Sequence, residues 1–203
     1  MRLLLATANL HKIREYKPLL QELLPQLDLL TLMDYPHYSP SEEGDESFAT
    51  NAIQKAVEAA KATQLWTLAD DSGLVVPALG GAPGVISARY GGAGSTDQAN
   101  CKKLLLEMAS LQGEERAAYY QCDLALATPQ GELHKVVSAS VHGLIAEEPR
   151  GSQGFGYDPL FVRYDYGKSF GELSFQLKNR ISHRYRALQK LAAVLQQLLQ
   201  SHG

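Results

Sequence analysis

Strand-like and helix-like segments alternate along the chain, and this alternation restricts the fold more than any other feature of the sequence. Arg2 to Ala6 is a short apolar run suited to a buried strand. Leu10 to Leu24 then carries Ile13, Leu19, Leu20, Leu23 and Leu24 near a helical period. After a loop around Pro36 to Asp45, Phe48, Ala52, Ile53, Ala56, Val57 and Ala60 predict a second amphipathic helix with Ser47 as its N-cap. Trp66 to Ala69 reads as a strand that runs into Asp70-Asp71-Ser72-Gly73, where Ser-Gly is expected to turn the chain. Ser95-x-x-Gln98 suggests a capping box ahead of a third helix through Leu104, Leu105 and Met108. Ala117 to Ala127 and Leu133 to Ile145 are rich in strand formers and flank Thr128-Pro129-Gln130-Gly131, a hairpin signal. A last helix from about Arg184 to Gln200 aligns Ala187, Leu188, Leu191, Val194, Leu195 and Leu198. The order implies an α/β or mixed α+β fold with a mixed sheet and flanking helices.

With 203 residues and a 45% hydrophobic fraction, the chain is large enough for one shared core across residues 1–203, with no confident domain boundary. Roughly 70% of its surface can be buried at this size, so no disulfide framework is required. Cys101 and Cys122 lack Cys-x-x-Cys spacing, which argues against a zinc ribbon and fits buried thiols in a reducing compartment. A formal net charge of −3 speaks against a generally basic nucleic-acid binder. Met-Arg-Leu-Leu-Leu is too short an apolar run for a signal peptide, and no segment approaches the ~18 residues of a membrane span, so a cytoplasmic protein is expected. Twelve of seventeen glycines fall between Gly80 and Gly94 or between Gly143 and Gly171, marking connections where the backbone bends or approaches a ligand closely.

Several constellations have chemical potential. Thr7-Ala8-Asn9-Leu10-His11-Lys12 joins the first strand to the first helix, where backbone N–H groups and the Lys12 charge are available to an anion, although the spacing is not that of a Walker A loop. Glu42-Glu43 and Asp45-Glu46 precede the second helix; such a block is also the ordinary composition of a solvated face. Asp70-Asp71 ends a buried strand, where paired carboxylates are costly without cations and where hard oxygens suit Mg2+. Gly154-Phe155-Gly156-Tyr157-Asp158-Pro159 offers flat aromatic faces to a base, or else a turn with two core aromatics. Lys178 and Ser182-His183-Arg184 add cations and donors before the final helix.

Taken in order, Thr7-x-Asn9-x-x-Lys12-x-x-Glu15, Phe48-x-x-Asn51-Ala52-x-x-Lys55-Ala56, Ala69-Asp70-Asp71-Ser72-Gly73-Leu74, Gly81-Ala82-Pro83-Gly84-x-x-Ser87-Ala88-Arg89-Tyr90, Gly154-Phe155-Gly156-Tyr157-Asp158-Pro159 and Ser182-His183-Arg184 resemble the motif set of the Ham1/RdgB family of inosine and xanthosine triphosphate pyrophosphatases. The resemblance spans about residues 3 to 195. It implies a two-lobed fold around an elongated mixed sheet, with an active-site cleft between the lobes, and a homodimer. It implies Mg2+-dependent conversion of ITP, dITP and XTP to the monophosphate and pyrophosphate. By this resemblance Thr7, Ala8, Asn9, Leu10, His11 and Lys12 hold phosphates, Asp71 is the general base with Asp70 beside it, and Lys12 and Lys55 offset phosphate charge. Ser72 contacts the substrate, while Phe155, Gly156, Tyr157, Asp158, Lys178, His183 and Arg184 form the nucleoside side. Arg184, which only donates hydrogen bonds, is expected at the 6-oxo group that separates hypoxanthine from adenine.

The metal is expected on Glu42 or Glu43 together with Asp71, in a register left open by a shifted glycine: family members often read Glu-Glu-x-Gly-x-Thr-Phe, whereas this chain reads Glu42-Glu43-Gly44-Asp45-Glu46-Ser47-Phe48. Ala8 stands where the family usually has Gly, so a left-handed backbone there would be mildly strained. His11 replaces a residue that is often small. Two competing readings are a Maf-type pyrimidine triphosphate pyrophosphatase and a non-enzymatic nucleotide-binding module; the latter would not need two carboxylates beside an acidic block.

Overall fold

A computed structural model describes residues 2–201. In chain order it contains β1 (Arg2–Leu5), α1 (Leu10–Leu23), β2 (Asp28–Thr31), α2 (Phe48–Thr63), β3 (Trp66–Val75), α3 (Asp97–Glu107), β4 (Ala117–Ala127), β5 (Leu133–Ile145), β6 (Phe161–Arg163), α4 (Phe175–Ile181) and α5 (His183–Ser201), with short 3-10 turns between them. The strands form a six-stranded sheet in the order β2-β1-β3-β4-β5-β6. β1 pairs in parallel with both β2 and β3, whereas β5 and β6 are antiparallel, so the sheet is mixed as the alternation of segments implies. No helix among the described residues is long and apolar enough to cross a membrane.

The long elements lie where periodicity places them, and the departures have local causes. β2, β6 and α4 have only four, three and seven residues, too few to repeat a pattern. The expected turn at Ser72-Gly73 does not occur. β3 continues to Val75 because Leu74 and Val75 are buried and the Leu74 N–H is taken by Ser87 Oγ at 2.9 Å. The third helix is capped by Thr96 rather than through Ser95: Thr96 Oγ1 accepts the Ala99 N–H, while Ser95 Oγ donates to Asn100 Oδ1.

The chain divides into two compact units, each assembled from separated segments. The first comprises Met1–Asp71, Cys122–Ala139 and Arg184–Gly203, and the second comprises Ser72–Gln121 and Ser140–His183. In the first unit, the alternation of strand residues builds two different cores. Leu3, Leu5, Leu68, Cys122 and Leu124 pack with the leucine-rich faces of α1 and α5. Leu4, Ala6, Ala69, Ala125 and Ala127 pack with Ala52, Ala56, Ala59 and Ala60 of α2, an all-alanine stripe that lets the helix lie close to the sheet. The second unit has one core, in which Leu74, Met108, Tyr120, Val141, Phe161 and Phe170 are buried together.

Candidate active site

The connection from β1 to α1 is organised by its own side chains. Asn9 is the N-cap of α1, and its Oδ1 accepts the N–H groups of His11 and Lys12 at 2.9 and 3.2 Å. Thr7 Oγ1 in turn accepts the Asn9 N–H at 3.1 Å. A helix N-terminus so exposed offers backbone donors to an anion, and Ala8, Leu10 and His11 are open to solvent around it. Ala8 is not among the residues with positive φ, so its replacement of glycine carries no backbone strain.

β3 directs its two adjacent carboxylates to different neighbours. Asp70, on the face of Leu68, meets Lys12 Nζ through Oδ1 at 2.8 Å and Arg184 Nε through Oδ2 at 3.3 Å. Arg184 is buried, and its Nη1 binds Glu15 Oε2 at 2.8 Å. Burial alone would raise the Asp70 pKa, but Lys12, Arg184 and Lys55 outweigh it and hold the carboxyl far below the usual range. Tyr16 and Cys122 complete this pocket: the Tyr16 hydroxyl lies 3.5 Å from Cys122 Sγ.

Asp71, on the face of Ala69, has the opposite electrostatics. Its Oδ1 lies 3.1 Å from Lys55 Nζ, and its Oδ2 accepts from Asn51 Nδ2 at 3.0 Å. Burial raises its pKa and is only partly offset by Lys55 and Lys12, so the carboxyl sits above its ordinary value. Lys55 is also shifted upward: burial lowers its pKa, but Asp71, Asp70 and Glu43 more than reverse that. A carboxylate of raised basicity, held but not neutralised, has the character of a general base.

The acidic block reaches this place through Asn51, to which motif reading assigned no role. Asn51 donates to Gly44 O at 3.0 Å and accepts from Gly44 N at 3.1 Å, gripping the backbone of that residue on both sides. Glu43 Oε1 thereby comes 2.9 Å from Lys55 Nζ, while Glu42 is exposed and lies outside this pairing. Among the described residues no three His, Cys, Asp or Glu gather as a metal cluster. The donor set nevertheless fits Mg2+, because Glu43 and Asp71 direct hard carboxylate oxygens at one ammonium group, and this ion typically takes one or two carboxylates with phosphates and water completing its shell.

The second unit contains the aromatic loop. Gly154 and Gly156 both have positive φ, at 79° and 60°, and they bracket Phe155. A Cβ on Gly154 would collide with Asp158 Oδ2, which accepts the Phe155 N–H at 2.8 Å. Asp158 is buried against Lys178, and Lys178 Nζ lies 5.0 Å from the Phe155 ring centre. Tyr157 departs from the expectation of a flat face for a base: it is buried in the core, and its hydroxyl donates to Ser87 O at 2.8 Å, leaving Phe155 as the half-buried aromatic of the loop. His183 is buried at the start of α5. Its ring stacks on Tyr120 at 4.6 Å and 8°, within a cluster that includes Phe161 and Phe170. Ser72, half-buried, begins the part of β3 that belongs to this unit.

The structure therefore brings the expected residues together in three groups: Lys12, Asp70 and Arg184; Glu43, Lys55 and Asp71; and Phe155, Asp158 and Lys178. Asn51, Glu15 and Tyr120 support them. Asn51 and Glu15 lie in the quoted motifs, but their tasks become visible only with their partners. Tyr120, whose hydroxyl lies 3.3 Å from Asp158 Oδ1, has no comparable local signal because its partner is 38 residues away.

A mixed sheet flanked by helices, with two adjacent carboxylates of one strand each paired to a lysine, defines an α/β protein. Comparison with known proteins makes the assignment specific. The sequence model of the Ham1 family matches residues 3–194, and the chain belongs to this family. It is 52% identical over 199 residues to a dITP/XTP pyrophosphatase of Protochlamydia amoebophila, covering 98% of this chain and 99% of that protein. It is 45% identical over 203 residues to a protein of the same name from Chlamydia trachomatis serovar L2, covering 100% and 96%. The structure of a HAM1 protein from Coxiella burnetii superposes with a TM-score of 0.87 at 38% identity, covering 97% of this chain and 99% of that one.

Proposed function

We propose that this chain is a Mg2+-dependent nucleoside triphosphate pyrophosphohydrolase that converts the non-standard purine nucleotides ITP, dITP and XTP to the monophosphate and pyrophosphate. The observation that carries the reading is Asp71: a buried carboxylate of raised pKa, within 3.1 Å of Lys55, beside a second carboxylate on that lysine. The dITP/XTP pyrophosphatase relatives over full length support the substrate class.

In this mechanism Asp71 takes the proton of the attacking water. Lys12 and Lys55 offset the charge of the phosphates, and Thr7 to Lys12 receive them at the start of α1. Asp70 acts indirectly, holding Lys12 and Arg184 in place. Glu43 and Asp71 would hold Mg2+, which supplies Lewis-acid stabilisation of phosphate charge when bound. In the second unit, Phe155 supplies the stacking face, Lys178 and Asp158 fix its loop, and His183 completes the nucleoside side; Arg184, expected there from the motif resemblance, lies in the first unit and is committed to Glu15 and Asp70. The enzyme works as a homodimer on the cytoplasmic nucleotide pool.

The test is chromatography of an ITP digest with Mg2+ and with chelator. Monophosphate and pyrophosphate formed only with the metal support the reading. IDP with orthophosphate, or no turnover of ITP and XTP, defeats it. A Maf-type enzyme would prefer pyrimidine triphosphates, and a binding module would turn over none.

A further inference from the structure

The loop assigned to the base is held from α3 at one residue, Gly156. Gly156 N donates to Asp97 Oδ2 at 2.6 Å, and Gly156 O lies 3.4 Å from Cys101 Sγ. Both partners come from the first turns of α3 and stand four residues apart, so they share a face of that helix. Gly156 has φ of 60°, a conformation that an L side chain rarely adopts, and it immediately follows Phe155. The Gly156 N–H belongs to the peptide plane that directly follows Phe155, so the Asp97 bond restrains the direction from which the Phe155 ring leaves the backbone, while Cys101 holds the next plane. The inner side of the loop is fixed separately, by Asp158 on the Phe155 N–H and by Lys178. The buried Cys101 thiol is pushed up to about 11 by burial and by Asp97 and Asp158, so it stays protonated and donates to the Gly156 carbonyl.

We infer that Asp97 and Cys101 are positioning residues that clamp Gly156 from α3, one on each of its two flanking peptide groups, and so set how tightly the Phe155 loop grips the purine base. The inference rests on the reading of this loop as the base site. Asp97 also stands in the first turn of α3, where any negative charge favours the helix. That role and the clamp make different demands. The helix requires the charge, whereas the Gly156 N–H requires only an acceptor oxygen, which asparagine retains.

The experiment compares the parent with Asp97→Ala and Asp97→Asn, using steady-state kinetics on ITP and amide hydrogen exchange at Gly156. Asp97→Ala should raise KM for ITP by about tenfold, the size expected for one charge-assisted hydrogen bond, with kcat nearly unchanged. Gly156 exchange should accelerate in the same variant. Asp97→Asn should recover most of both effects. Unchanged KM and exchange in Asp97→Ala would overturn the clamp, as would an Asp97→Asn that matches Asp97→Ala. A parent that exchanges Gly156 slowly but does not hydrolyse ITP would overturn the functional reading, and with it the grip on the base.

Discussion

Asp70 and Asp71 are neighbours in sequence, yet β3 turns them to opposite faces, and the two faces treat a carboxylate in opposite ways. On the leucine-rich side Asp70 is buried between Lys12 and Arg184, and its charge is compensated so fully that its pKa is driven down. On the alanine-rich side Asp71 has Lys55 and an amide, and burial keeps its pKa raised. One step along a strand thus separates a buried counter-ion from the carboxylate proposed as the base. Surrounding cations, rather than the carboxyl itself, decide which role each acquires.

The most direct way to break this comparison is Asp71→Asn. It keeps the shape and removes the base, so activity on ITP should fall by about 10²–10⁴, the usual contribution of such a group. Melting temperature should not fall, because the folded state already disfavours this charge. If the variant keeps more than about a tenth of the parent's kcat/KM, well outside that range, the base lies elsewhere. Asp70→Asn should fail differently. Removing one member of a buried charged network leaves Arg184 and Lys12 undercompensated and costs about 3–5 kcal/mol of stability. Urea unfolding measures it, and a loss confined to activity would mean that Asp70 is not the counter-ion described.

Asn51→Ala sharpens the Asp71 side. It abolishes the grip on Gly44 and the bond to Asp71, so about 1–3 kcal/mol of stability should be lost. More tellingly, the Mg2+ concentration for half-maximal activity should rise, because Glu43 would no longer be held beside Lys55. An unchanged Mg2+ requirement would detach the acidic block from the metal.

A further expected effect concerns the Asp70 side in alkali. Burial, and then the Asp70 charge, push the Cys122 thiol up to about 12, well above its value in an unfolded chain. A raised folded pKa contributes stability that is complete below the unfolded value and is lost as pH rises through the folded one. Stability should therefore decline between about pH 9 and 12, and Cys122→Ala should flatten that decline; urea midpoints across the range test it.

Much of this architecture was legible in the sequence because it repeats. α1, α2, α5, β4 and β5 carry several turns or alternations each, and a periodic signal accumulates over such lengths. β2, β6 and α4 are too short for that, and the Ser72-Gly73 pair suggested a turn because local propensity carries no information about Ser87, whose hydroxyl holds Leu74 in the strand. The site divides in the same way. Its charged residues stand out by type and spacing, and the motif resemblance names them. Pairing is a tertiary property, however. The commitment of the Arg184 guanidinium to Glu15 and Asp70 spans 169 and 114 residues, and the burial of Tyr157 depends on a carbonyl 70 residues away.

Arg184 also sets an order of events during synthesis. Lys12, Glu15 and Asp70 all emerge early, but the guanidinium that joins Glu15 to Asp70 belongs to the last segment of its unit, beginning at residue 184. A nascent chain that has made β1, α1 and β3 therefore lacks the guanidinium that later joins Glu15 to Asp70, and it exposes the apolar face that α5 later covers. At about 5–20 residues per second, translation holds the chain in that state for several seconds or more. Stalling ribosomes just before and just after this segment, and probing the emerged chain with protease, should give fragile and resistant products respectively. The arginine would then act as the latch of the first unit.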